Sequence, residues 1–134
     1  MQSMNEKTKR FMREQIAALV TALKSFGLPV YEDEIAEDEE ATLSEYNCFV
    51  FETGEFRTTN NIRNVIQDIY VYYYSENRDD VDEQTIDIIS SVSSIKGINF
   101  VNTVKERLQE KDTDRYVDRV TLVFRRVIPI GCQV

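Results

Sequence analysis

The residues of this chain best suited to chemistry are Asp68, Glu106 and Lys105. Carboxylates and a lysine on adjacent strands can hold divalent metal ions against a phosphate, as metal-dependent nucleases do. The spacing of these three is generic, and Asp68 has a plainer reading as the ion-pair partner of an arginine such as Arg119 or Arg125. Other chemistries have fewer parts. The chain has no histidine, so the commonest general base, metal ligand and partner of a Ser or Cys nucleophile is missing. Ser90-Ser91-Val92-Ser93-Ser94 has only Lys96 as a nearby cation and reads as the small-residue face of a helix. The glycines at 27, 54, 97 and 131 never cluster, which excludes a phosphate-cradling loop. Cys48 and Cys132 lack metal-type spacing and read as unpaired small hydrophobes. No catalytic residue, cofactor or metal is expected.

The charge is concentrated. Tyr31 to Tyr46 holds Glu32, Asp33, Glu34, Glu37, Asp38, Glu39, Glu40 and Glu45, eight acids with no Lys or Arg. The whole chain has 24 acids and 16 bases, so without those eight it is formally neutral. Such a protein is not drawn to nucleic-acid backbones in general. The acid run reads as a solvated loop with a turn of helix near Asp33 to Glu37. It lacks the glycine turn of a calcium loop. An acidic inhibitor that mimics DNA, or a negative surface inside a ring, are further readings of it.

The elements that must position these residues follow from periodicity. Gln2 to Phe26 carries an apolar stripe at helical spacing (Phe11, Met12, Ile16, Leu19, Val20, Leu23, Phe26), and Gly27 with Pro29 stops it. Leu28 to Tyr31 reads as a short edge strand. Asn47 to Thr53 is a strand, Gly54-Glu55 its turn, and Phe56 to Thr59 the return, with Asn60-Asn61 a second break. Arg63 to Ser75 is one long strand. Asp80 or Asp82 then caps a helix to about Lys96, with Ile86, Ile88, Ile89, Val92 and Ile95 in its wide apolar stripe; Gly97 ends it. Ile98 to Leu108 and Arg115 to Ile128 alternate as strands around a polar loop, Gln109 to Asp114. The tips Thr53 to Glu55 and Gln109 to Asp114 are expected to project towards a neighbour. The sum is one α+β domain of residues 1–134: a single mixed or antiparallel sheet of about four to five strands with two helices packed on one face.

The long middle strand is the centre of this sheet. Val65, Gln67, Ile69, Val71 and Tyr73 share one face, for the helices. Ile66, Asp68, Tyr70, Tyr72 and Tyr74 share the other. No helix remains to cover the tyrosine face, so a neighbouring subunit is expected there, with Tyr70, Tyr72, Tyr74, Arg119 and Arg125 at the interface. Arg115, Arg119, Arg125 and Arg126 read as cross-strand or intersubunit ion-pair partners. No apolar run is long enough for a membrane span and no secretory leader is seen, so the expected site of synthesis is a cytosol.

The layout resembles a known family. The N-terminal helix ended by FGLPVY, the acidic connector, NCFVFETGEF, the DEQTIDIISSVSS helix and the RYVDRVTLVFRRVIPI finish are similar to tail terminator or tail-completion proteins. These join head to tail in long-tailed bacteriophages; small neck or head-closure proteins are a related likeness. The resemblance implies a homo-oligomeric ring, usually a hexamer, that caps the tail tube protein, stops tube polymerisation and receives the head connector. It implies a virion protein of the tail–neck region, assembled in the host cytoplasm, with DNA passing through the lumen without specific binding. Glu32, Asp33, Glu34, Glu37, Asp38, Glu39 and Glu40 would then face the lumen or solvent. The family has no sharp motif, so no functional residue is carried over individually.

Overall fold

The computed structural model of the protein describes residues 5–40, 45–109 and 115–131. Cys132 and most of the predicted polar loop, 110–114, lie outside these residues, as does the predicted start of the first helix before residue 5. The elements are α1 (Glu6–Lys24), β1 (Val30–Glu32), α2 (Glu37–Glu40), β2 (Cys48–Thr58), β3 (Asn64–Ser75), α3 (Val81–Ser93), β4 (Ile98–Gln109) and β5 (Tyr116–Pro129). The five strands form one mixed sheet in the order β1-β2-β3-β5-β4. Only β1 and β2 run parallel; the other pairs are antiparallel. This is the expected α+β architecture, with α2 as a short third helix.

β3 is the middle strand, and its pairing with β5 runs unbroken from Asn64↔Pro129 to Ser75↔Asp118. The period-2 alternation divides its side chains as expected. Ile69, Val71 and Tyr73 are fully buried, together with Phe49 of β2 and Leu122 and Phe124 of β5. Leu19 and Leu23 of α1 and Val81, Ile88 and Val92 of α3 close over that face, which places both long helices on one side of the sheet. Each fully buried aliphatic side chain contributes about 1.5–3 kcal/mol. Phe49 and Tyr73 stack at 5.3 Å, and Phe26 caps Phe49 at 5.9 Å.

Four local expectations are overturned. Gly54-Glu55 is not a turn: β2 continues to Thr58, and the register shift between Thr53 and Phe56 sets Gly54 and Glu55 against Asp68 as a β-bulge. A Cβ on Gly54 would lie 3.1 Å from the Tyr70 ring, so the glycine makes room for a tyrosine crossing the ladder. The hairpin instead turns at 59–63, where Thr59 and the Asn61 side chain bond nearby backbone. Thr53 to Glu55 is therefore no projecting tip. Second, neither aspartate caps α3 with its side chain: Asp80 holds the N-cap position, but its carboxylate takes both prongs of Arg78 at 2.7 Å. Third, α3 is shorter than expected. It ends at Ser93, and Ile86 is 62 % exposed, because its face turns away from the sheet. The helical turn in the acid run also falls later, at Glu37–Glu40.

β4 forms the far edge and is exposed along nearly its whole length. An extra residue, Val101, bulges between Phe100 and Asn102, which bends the edge. Phe100 reaches back to Phe124 at 5.7 Å.

Candidate functional site: the open sheet face

The face opposite the helices carries Asp68, Tyr70, Tyr72 and Tyr74 from β3, Val50 and Glu52 from β2, and Arg119, Val123 and Arg125 from β5. The pairings Tyr70↔Val123, Tyr72↔Thr121 and Tyr74↔Arg119 fix that set. Cross-strand neighbours on such a face lie close enough to pair, and here they form two polar rows.

In the first row Asp68, 7 % exposed, sits between two guanidinium groups. Arg57 donates to both carboxylate oxygens at 3.1 and 3.2 Å, and the Arg125 Nε donates at 3.1 Å. The hydrogen bond from Arg57 is the largest cause holding the Asp68 carboxyl below its ordinary range, with Arg125 adding to it against the cost of burial. Arg125 is legible as a partner in the sequence. Arg57 is not, because a turn at Gly54-Glu55 would end the strand before it.

In the second row the Tyr72 hydroxyl donates to Glu52 at 2.6 Å. Burial, then the Glu52 carboxylate, push the Tyr72 phenol up to about 12. Arg119 lies over the Tyr72 ring, 5.9 Å from its centroid, and donates to Glu106 at 2.9 Å. The face is thus a lattice of aromatic rings and neutralised charges.

As expected, neither long helix covers this face, but it is not bare. The acidic segment leans over one end. Tyr46 approaches Tyr74 at 6.4 Å and its hydroxyl donates to Glu40. Asp33, Glu34, Ile35 and Glu40 then form one wall of a groove of about 480 Å³, with Val50, Glu52, Tyr72, Tyr74 and Arg119 on the other side. Cys48 is sealed beneath, and burial pushes its thiol up to about 11. The seven acids named as lumen- or solvent-facing (Glu32, Asp33, Glu34, Glu37, Asp38, Glu39, Glu40) are all exposed. At the end of β3, Glu76 is 3 % exposed and anchors the segment's exit. Burial alone would raise its pKa, but the Tyr46 N–H at 2.8 Å and the Arg115 guanidinium at 2.7 Å outweigh that and lower it.

The nuclease set does not come together. Glu106 pairs with β5 at Arg119 and Asp68 at Arg125. Six residues of strand, about 20 Å, separate those rows. Lys105 points to the helix side and holds Asp82 at 2.9 Å. Among the described residues no group of three or more His, Cys, Asp or Glu side chains is arranged to hold a metal ion. Among them, no helix is long and apolar enough to cross a membrane.

Arg126 corrects the reading of the last strand's arginines as ion-pair partners. It lies on the helix side, 3 % exposed, and its hydrogen-bond acceptors are neutral. Its Nε and Nη2 donate to Gln67 Oε1 at 2.9 and 2.6 Å, and Nη1 to the Met12 carbonyl at 3.3 Å and Gln15 Oε1 at 3.4 Å. The signal was present: Arg126 continues the Val120, Leu122, Phe124 alternation, and Gln67 the Ile69, Val71, Tyr73 face.

An α+β protein with a two-helix core side and an aromatic, ion-paired open face is what the fold and site define. No protein-family model matches the chain, and no curated protein matches it.

Proposed function

We propose that this protein is a structural virion component of the tail terminator or tail-completion kind: a homo-oligomeric, six-membered ring that caps the tail tube, ends its polymerisation and joins it to the head. The observation that carries the reading is the open face. Tyr70, Tyr72 and Tyr74 are only half-buried, and Arg119 and Arg125 stand beside them on the side of the sheet that neither long helix touches. Tyrosine and arginine are the side chains enriched in subunit interfaces, where a ring and a polar tip serve both the wet and the buried state. Ring contacts are heterologous, so this face of one copy meets a different surface of the next. The exposed acids suit a lumen through which DNA slides without being held, since like charge repels the phosphate backbone. The role is architectural rather than catalytic. Its partners are further copies of itself, the tail tube protein and the head connector, and its place is the tail–neck region of the virion.

The test is electron microscopy of tails assembled with and without the protein. The reading expects overlong or irregular tubes that fail to join heads when it is missing. Uniform tails with full joining competence in its absence would refute it.

A further inference from the structure

The two halves of α1 are attached to the sheet by different physics. From Ile16 onward the helix is part of the apolar core: Leu19 and Leu23 are fully buried, and Ile16, Val20 and Phe26 pack against the same cluster. Before Ile16 no residue of the helix belongs to that cluster. The buried residues there are Thr8 and Gln15, with Phe11 and Met12 only partly buried and outside that cluster, and the hydrogen-bonded attachments are polar. Thr8 Oγ1 donates to the Pro129 carbonyl at 2.8 Å, and Gln15 Nε2 to the Lys96 carbonyl at 3.1 Å. The Gly131 N–H donates to Asn5 Oδ1 at 2.9 Å, and Arg126 reaches Met12 O and Gln15 from below.

We infer that the first half of α1, Asn5 to Gln15, is a latch that lifts off the sheet and, too short to hold as an isolated helix, unwinds as a unit while the rest of the helix stays docked. The two halves lose different contacts when they lift. Lifting the second half exposes leucines to water, a cost proportional to apolar area. Lifting the first half exposes the partly buried Phe11 and Met12 but no fully buried apolar side chain of the helix, and otherwise exchanges polar contacts for water at little net cost, so it costs less. It also rehydrates the Arg126 guanidinium, whose desolvation is offset in the closed state by neutral acceptors alone. Local opening with low free energy belongs to segments with few apolar contacts and many exposed polar ones. Gly97 permits the closed position, because Gln15 and Phe11 lie where its side chain would be, at 2.6 and 3.1 Å. The inference does not depend on the proposed function.

Native-state hydrogen exchange resolved by residue tests it. The amides of Arg10 to Gln15 should share one protection level, about 100-fold below that of Leu19 to Leu23, with a step between them. Simple end fraying instead gives protection that rises smoothly with each residue. Equal protection across the helix, or a smooth rise, would overturn the inference. The Gln67→Leu/Arg126→Met variant removes the charge that gains from rehydration. Exchange at Arg10 to Gln15 should then slow about tenfold relative to Leu19 to Leu23; unchanged or faster relative exchange would overturn the inference as well. If that variant does not fold, the step in the wild-type profile decides.

Discussion

Removing the Gln67 side chain should be among the most damaging single changes in the sheet, although it deletes no apolar core residue. Gln67 Oε1 accepts from two nitrogens of Arg126, and both residues are almost fully buried, at 5 and 3 % exposure. In Gln67→Ala those two N–H groups face a cavity. Hydrogen bonds to a charged group are worth about 1.5–3 kcal/mol each. The two bonds share one acceptor, so the loss is less than additive, and about 3 kcal/mol is expected, in line with the cost of breaking a buried polar pair. For a urea slope of about 2 kcal/mol per molar, that lowers the unfolding midpoint by roughly 1.5 M with the slope unchanged. The paired replacement Gln67→Leu/Arg126→Met removes the demand together with the supply and should lie within about 1 kcal/mol of wild type. Equilibrium urea unfolding of the singles and the double closes the cycle. A Gln67→Ala cost under about 0.5 kcal/mol, or a double variant as unstable as the sum of its singles, would refute the reasoning.

Other substitutions follow from the same geometry. Gly97→Ala should cost more than the ~1–2 kcal/mol of a left-handed residue, because besides φ of +85° the new methyl would push the Gln15 amide from its bond to the Lys96 carbonyl; Gly27→Ala, at φ +77° with open space around it, should cost only the backbone part. Thermal melts of the two variants side by side check this ordering, and equal losses would contradict it. The lowered Asp68 carboxyl makes stability pH-dependent. A group whose folded pKa lies below its unfolded value contributes fully above the unfolded value, near 3.9, and loses that contribution as pH falls through the folded one. Wild type should therefore lose stability below about pH 4, and Asp68→Asn should flatten that part of the urea-midpoint profile. An identical acid limb in both proteins would count against the pairing.

The sequence made the sheet and its sidedness readable because alternation along β3 and β5 is long and regular. Ile69, Val71, Tyr73, Val120, Leu122 and Phe124 all fell where the pattern put them. Gly54 misled because a glycine followed by a charged residue between two apolar runs has the composition of a turn; only the tertiary approach of Tyr70 distinguishes the bulge. The second guanidinium on Asp68 was lost with that same error. Ile86 misled through its neighbours, since a stripe that wide includes residues that rotate out of contact. The acidic segment's lean over Tyr74 was not readable, because its contacts come from Tyr46 and Glu40, which no local period links to β3.

In the proposed function, the open face joins copies of this chain into a ring at the end of a tail tube. A cryo-electron microscopy reconstruction of the assembled tail–neck junction tests it most directly. The expected result is a single ring of six copies on the last tube layer, with Tyr70, Tyr72 and Tyr74 covered by the adjacent copy and Glu32 to Glu40 turned to the lumen or solvent. A junction without this chain, or a ring whose subunits meet elsewhere and leave the tyrosine face in water, would contradict it.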